Sequence, residues 1–354
     1  MFPGYEAANP TQEQVEIAWA AHGLSVIVVE APKKGGAVTP IVGHELNRRF
    51  HTSSEFELTG PVAGHELVQT TADPTGVTVL GTLNNCAGGL TPWGTWLTAE
   101  ENLNQYFANA ELVTDPTAKQ RLARYGLGGT ETERKWERFD DRFDVVKEPN
   151  EPNWFGWIVE IDPFDPTSTP KKRTALGRFK HEAANIRIAA DGRAVAYMGD
   201  DERFDYFYKF VSNGTVDLSG TAAAKANNAT LLDDGTLYVA KFTGDSPASE
   251  ITGDGALPSD GAFDGTGEWI KLAAGNESFV AGMSAEEVYL FTRLAGDAVG
   301  ATEMDRPRGR RTASRNRTRL HRAHEQHLAH RRGRGEPAHQ QQARAHPRGD
   351  RGRR

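Results

Sequence analysis

The chain has very little cysteine: one residue, Cys86, in 354. No internal disulfide can form, so cysteine usage says nothing about the redox compartment. There is no run of about 18 apolar residues, which excludes a membrane-spanning helix. The opening stretch, MFPGYEAANPTQEQVEIAWAAHG, has no basic segment followed by an apolar one, so no signal peptide is expected at this start. No strict internal repeat is visible. Helical periodicity is scarce, confined to Thr11–His22 and Asn102–Tyr125 with a short third candidate at Ser284–Tyr289. From position 309 onward there is no Val, Ile, Phe, Trp, Tyr or Met, and such a stretch cannot bury a core.

What is present divides sharply by charge. The net charge is −7. Residues 306–354 carry 16 arginines against three acids, a net +13. The preceding 305 residues carry 25 basic and 45 acidic groups, a net −20. An acidic body is a poor partner for nucleic acid, and suits hard cations held by carboxylates.

The body reads as short strands rich in Val, Ile, Tyr, Phe and Trp: Val77–Leu83, Trp93–Thr98, Phe155–Asp162, Ala194–Asp200, Tyr206–Ser212, Gly235–Phe242, Glu268–Ala273 and Glu287–Leu294. Asp191-Gly192, Asp234-Gly235 and Asp264-Gly265 are turn signals. The expected class is all-β, a sandwich, barrel or propeller, with loosely recurring hairpins favouring propeller blades. The charged segment from Gly126 to Asn153 reads as a solvated excursion between strands.

The chemistry concentrates around NNCAGGLTPWGTWLTAEEN, Asn84–Asn102. A lone cysteine is ordinarily a small buried hydrophobe. Here it stands among Asn84, Asn85, Gly88 and Gly89, which form turns and admit close backbone approach. A thiolate in such a place suits a soft or borderline metal, or nucleophilic catalysis, but no histidine cluster offers a base. Carboxylates are plentiful: Glu100 and Glu101, then Glu182 in GRFKHEAA, then Asp200, Asp201 and Glu202 in YMGDDERFDYFYKF. Singly each reads as a solvated surface group. Together with Cys86 they suggest a polymetal site, because clustered acids repel unless cations hold them together. His181, beside Glu182, fits a supporting hydrogen-bonding role as well as ligation.

Four long motifs, LGTLNNCAGGLTPWGTWLTAEENLNQYF, FGWIVEIDPFDPTSTPKKRTALGRFKHEAA, VAYMGDDERFDYFYKFVS and FTRLAGDAVGATEMDRP, resemble the PhoX-type bacterial alkaline phosphatases over residues 1–307. The resemblance implies an incomplete β-propeller with a few inserted helices, and hydrolysis of small phosphate monoesters at a centre of ferric iron (Fe3+) and calcium. It implies that Cys86 ligates iron, Glu101 a metal, Glu182 both iron and calcium, and Asp201 calcium, with Arg306 catalytic beside the phosphate. It also implies a monomer and twin-arginine export to the periplasm or beyond, although this start carries no signal and the chain as written would remain in the cytoplasm. The alternatives are a non-catalytic calcium-binding propeller, another propeller hydrolase such as a lactonase and, if the tail is genuine, nucleic-acid binding through its arginines.

Both ends depart from the family pattern. The start falls at an internal methionine of the family, and Arg308 stands where the family has a metal-ligating glutamate. Shifting a back-translation of Arg308–Ala313, Ala323–His330 and Glu336–Pro347 by one base turns each into a likeness of the family's C-terminal motifs. The expectation is therefore a truncated copy with a frameshifted, disordered, Arg/His-rich tail over 308–354. Its six histidines would form no metal site, and the chain as written would be metal-poor, aggregation-prone and weakly active or inactive.

Overall fold

A computed structural model of the chain describes residues 4–31, 36–254, 256–262 and 264–307. The tail over 308–354, with the frameshift expectation attached to it, lies outside the described residues. Two six-stranded sheets dominate. In spatial order the first runs Thr78–Leu80, Glu55–Thr59, Lys171–Arg173, Ile158–Ile161, Trp96–Glu100, Asn85–Leu90. One pair in it, Glu55–Thr59 with Lys171–Arg173, is parallel. The second is an antiparallel meander almost in chain order: Asn185–Ile188, Arg193–Gly199, Phe207–Thr215, Gly235–Gly244, Gly265–Ala274, Glu277–Ser278. The all-β expectation holds at this level, whereas no sheet closes into a ring among the described residues.

The strands form where β-branched and aromatic residues alternate with smaller ones, and their inward faces share one core. Trp136, Trp154, Trp157, Phe56, Leu97, Ile158, Tyr208 and Leu237 are all fully buried in it. The Thr11–His22 expectation is met by a helix at Gln12–Ala21, closed by a capping box between Thr11 and Gln14.

Several expectations need correction. The short helical candidate at Ser284–Tyr289 is met by a helix at Ala285–Leu290, while the overlapping strand reading of Glu287–Leu294 fails, because Thr292–Ala298 is helical as well. The reason is local, since Ser284 and Glu287 make a capping box, and Ala285, Val288 and Tyr289 face the core at helical spacing. Asn102–Tyr125 yields one α-helix, Pro116–Arg124, capped by Asp115, preceded by short 3₁₀ turns. The excursion over 126–153 is not simply solvated. Trp136 and Phe143 sit in the core, and Arg142 bonds Glu151 and the carbonyls of Thr52 and Leu80. Of the three Asp-Gly pairs only Asp191-Gly192 forms a tight turn with positive φ; Gly235 and Gly265 open strands. Among the described residues no helix is long and apolar enough to cross a membrane.

The arrangement that matters for chemistry is where the two sheets meet. The edge strand Asn85–Leu90 of the first sheet lies against the segment entering the edge strand Asn185–Ile188 of the second. A side chain on Gly89 would come within 2.8 Å of the Ala184 carbonyl oxygen. A small antiparallel pair, Arg203–Asp205 with Met304–Asp305, brings residues near 306 to the same region.

Candidate metal and phosphate site

Cys86 is exposed, not buried as a lone cysteine usually is. It follows Asn84, held in the left-handed conformation at φ 51°. Asn84 is pinned on both sides: its carbonyl accepts from the Glu101 amide at 3.2 Å, and its side-chain oxygen accepts from the Asn102 amide at 3.3 Å. The second sheet repeats the device, since the Asp201 amide donates to the Lys180 carbonyl at 3.0 Å, two residues before Glu182. A residue just past each strand end thus fixes a chain segment leading to a candidate ligand in its own sheet.

These four side chains face one another. Although Cys86 is exposed as a residue, partial desolvation pushes its thiol up, as do the carboxylate of Glu101, to which it hydrogen-bonds, and that of Glu182. Glu101 is pushed up by burial and by a hydrogen bond to Asp201. Two carboxylates within hydrogen-bond reach must share a proton or a cation. Arg306, itself at φ 54°, lies with its guanidinium 4.0 Å from Asp201, and its amide donates to the Glu202 carbonyl at 3.1 Å. Cys86, Glu101, Glu182, Asp201 and Arg306 are therefore linked neighbour to neighbour along the cleft where the two sheets meet.

The other acids of the same motifs do not belong to it. Glu100 is fully buried and ion-paired to Lys172 at 2.9 Å. Asp200 is fully buried against Arg293 at 2.5 Å. Glu202 turns to Lys180 at 2.6 Å. His181 is a core residue stacked on Phe179, with Nε2 against the Gly177 carbonyl oxygen at 2.8 Å. Burial drives its pKa down to about 3, so it is neutral, and Nδ1 has no hydrogen-bond partner. Nothing in the sequence marks Lys172 or Arg293 as partners of these acids, because a buried lysine in PKKRTAL looks like any surface lysine.

By donor type the residues suit metal cations: one thiolate for a softer ion, and three carboxylates whose mutual repulsion a cation would offset. Among the described residues, no group of three or more His, Cys, Asp or Glu side chains is placed so that it could hold a metal ion.

The family model for alkaline phosphatase PhoX matches residues 2–344. The chain belongs to the PhoX family. A solved PhoX from Pseudomonas fluorescens, in complex with vanadate, a transition state analogue, is 48% identical, with a TM-score of 0.72. That alignment covers 84% of this chain but 48% of the solved one, so the present PhoX-family chain spans about half of that protein's length. No curated protein matches the chain.

Proposed function

We propose that this chain carries the phosphate-binding cleft of a metal-dependent phosphomonoesterase built on a β-propeller, of which the two described sheets form part. The observation that carries the reading is the convergence of Cys86, Glu101, Glu182, Asp201 and Arg306 from four separate stretches of chain, while the neighbouring acids turn away. Cys86, Glu101 and Glu182 would hold iron, and Glu182 and Asp201 calcium. Such ions, when bound, supply positive charge that neutralises a phosphoryl group during displacement. The chain's own contribution is positional. Asn84 and Lys180 fix where the ligands enter, Asp201 draws the Arg306 guanidinium to the cleft, and that planar fork can engage phosphate oxygens in pairs.

The test is hydrolysis of p-nitrophenyl phosphate, with metal content measured on the same sample, by the purified chain and by a version with the export signal and the reading frame restored; the chain as written is expected to be the weaker and more metal-poor of the two. In the restored version Cys86→Ser and Glu182→Ala are expected to reduce bound iron and activity strongly and together. Activity unchanged in both variants would sink the assignment. Calcium bound without iron or turnover would favour a non-catalytic calcium-binding domain instead.

A further inference from the structure

Glu100 has more donors than an ion pair needs. Its Oε1 accepts from Lys172 Nζ at 2.9 Å, Thr82 Oγ1 at 2.8 Å and the Leu83 amide at 3.3 Å. Its Oε2 accepts from the amides of Gly156 at 3.1 Å and Trp157 at 3.2 Å. A buried carboxylate needs its lone pairs filled, and five donors fill them. One of these side-chain links leads toward the cleft, and two connections through the Glu100 backbone join it there. Thr82 Oγ1 in turn accepts from Asn85 Nδ2 at 2.7 Å, one residue before Cys86. Glu101 follows Glu100 directly. The Glu100 carbonyl oxygen accepts from the His181 amide at 3.1 Å, one residue before Glu182 and across the boundary between the sheets. One residue thereby touches the immediate neighbours of three candidate ligands.

We propose that Glu100 is a positioning residue that sets Cys86, Glu101 and Glu182 in register for metal binding. The inference rests on the metal-site reading above. It has a chemical requirement: each carboxylate oxygen faces two groups that can only donate, Lys172 and the Leu83 amide on one and the Gly156 and Trp157 amides on the other, so an amide in its place must turn an NH₂ group toward donors and displace one of the anchored segments.

A matched control lies in the same sheet. Glu160 is also buried and paired, with Arg173 Nε at 2.8 Å, and it bonds Trp93 Nε1 at 3.0 Å and Thr95 Oγ1 at the far end of the hairpin. None of those partners adjoins a candidate ligand. The experiment strips the full chain of metal and titrates it with Co²⁺, following thiolate-to-cobalt absorption; with one cysteine in the sequence, the band can come only from Cys86. Glu100→Gln is expected to weaken Co²⁺ binding about 10- to 100-fold, whereas Glu160→Gln leaves it within about threefold. Thr82→Val removes one link without stranding Lys172, and guards against a Glu100→Gln variant that fails to fold; it is expected to weaken binding in the same direction. Binding by Thr82→Val and by any folded Glu100→Gln no weaker than by Glu160→Gln overturns the positioning role while leaving the site standing. A wild-type chain that develops no band overturns both.

Discussion

The strands Trp96–Glu100 and Arg193–Gly199, one in each large sheet, both run into an acidic doublet, and within each doublet the two acids meet opposite fates. Glu100 and Asp200 turn inward and are neutralised by Lys172 and Arg293. Glu101 and Asp201 turn to the cleft and face each other. Alternation along an extended chain accounts for the split, since adjacent side chains point to opposite faces. The lesson is that identical residue types one position apart divide into a structural set, satisfied by protein cations, and a set still suited to foreign ones.

That contrast can be broken most forcefully from the inside. We predict that Lys172→Met, which strands the Glu100 carboxylate in the core, costs about 3–5 kcal/mol in chemical denaturation. A loss below about 1 kcal/mol would mean that the four remaining donors, from Thr82, Leu83, Gly156 and Trp157, hold the carboxylate without the ammonium.

Glu151 sharpens the comparison because it is only half satisfied. Arg142 grips Oε1, at 2.5 Å from its Nη2, while buried Oε2 has no hydrogen-bond partner. Burial raises its pKa from 4.5 to about 7 despite that guanidinium. The folded state therefore holds a proton that the unfolded state releases, and the associated stability is complete below about pH 4.5 and lost as pH rises through 7. The expected change across that window is up to about 3 kcal/mol, and Glu151→Gln should flatten it. Parallel stability–pH curves for the two proteins would show that Glu151 stays ionised.

In the cleft the expected signs reverse. Glu101→Gln removes a repelling charge, so metal-free stability should hold or rise by less than about 1 kcal/mol, while metal affinity falls at least about tenfold. A large stability loss would place Glu101 with the inward acids. The smallest stability effect belongs to Arg306→Lys, whose half-exposed side chain lies 4.0 Å from Asp201. Its contribution to folding should be under about 1 kcal/mol. The loss should appear in KM for p-nitrophenyl phosphate, because an ammonium cannot copy the paired contacts of a guanidinium.

The sequence made the candidate ligands legible as a set, because long motifs carried them and the acid surplus hinted at cations. It did not separate Glu100 from Glu101 or Asp200 from Asp201. That choice depends on which face of a strand end is covered, and the covering cations come from positions 172 and 293. The four inner strands of the second sheet were readable from their aromatic and β-branched residues, but its edge strands, Asn185–Ile188 and Glu277–Ser278, were not. Asn85–Leu90 was not, because NCAGGL has no apolar alternation and is a strand only by pairing with Trp96–Glu100. Glu287–Leu294 misled in the other direction: its aromatics suggested a strand while its capping box specified a helix.

One consequence follows from the pair of glycines after Cys86. A methyl on Gly88 would lie 1.8 Å from the Leu97 carbonyl oxygen, inside its own hairpin. A methyl on Gly89 would press at 2.8 Å on the Ala184 carbonyl oxygen, in the other sheet. The width of the cleft is thus gauged by a missing atom. Gly89→Ala would act as a shim between the sheets, pressing the Cys86 and Glu182 edges apart, and so would change the spacing of the proposed metal site without altering one candidate ligand.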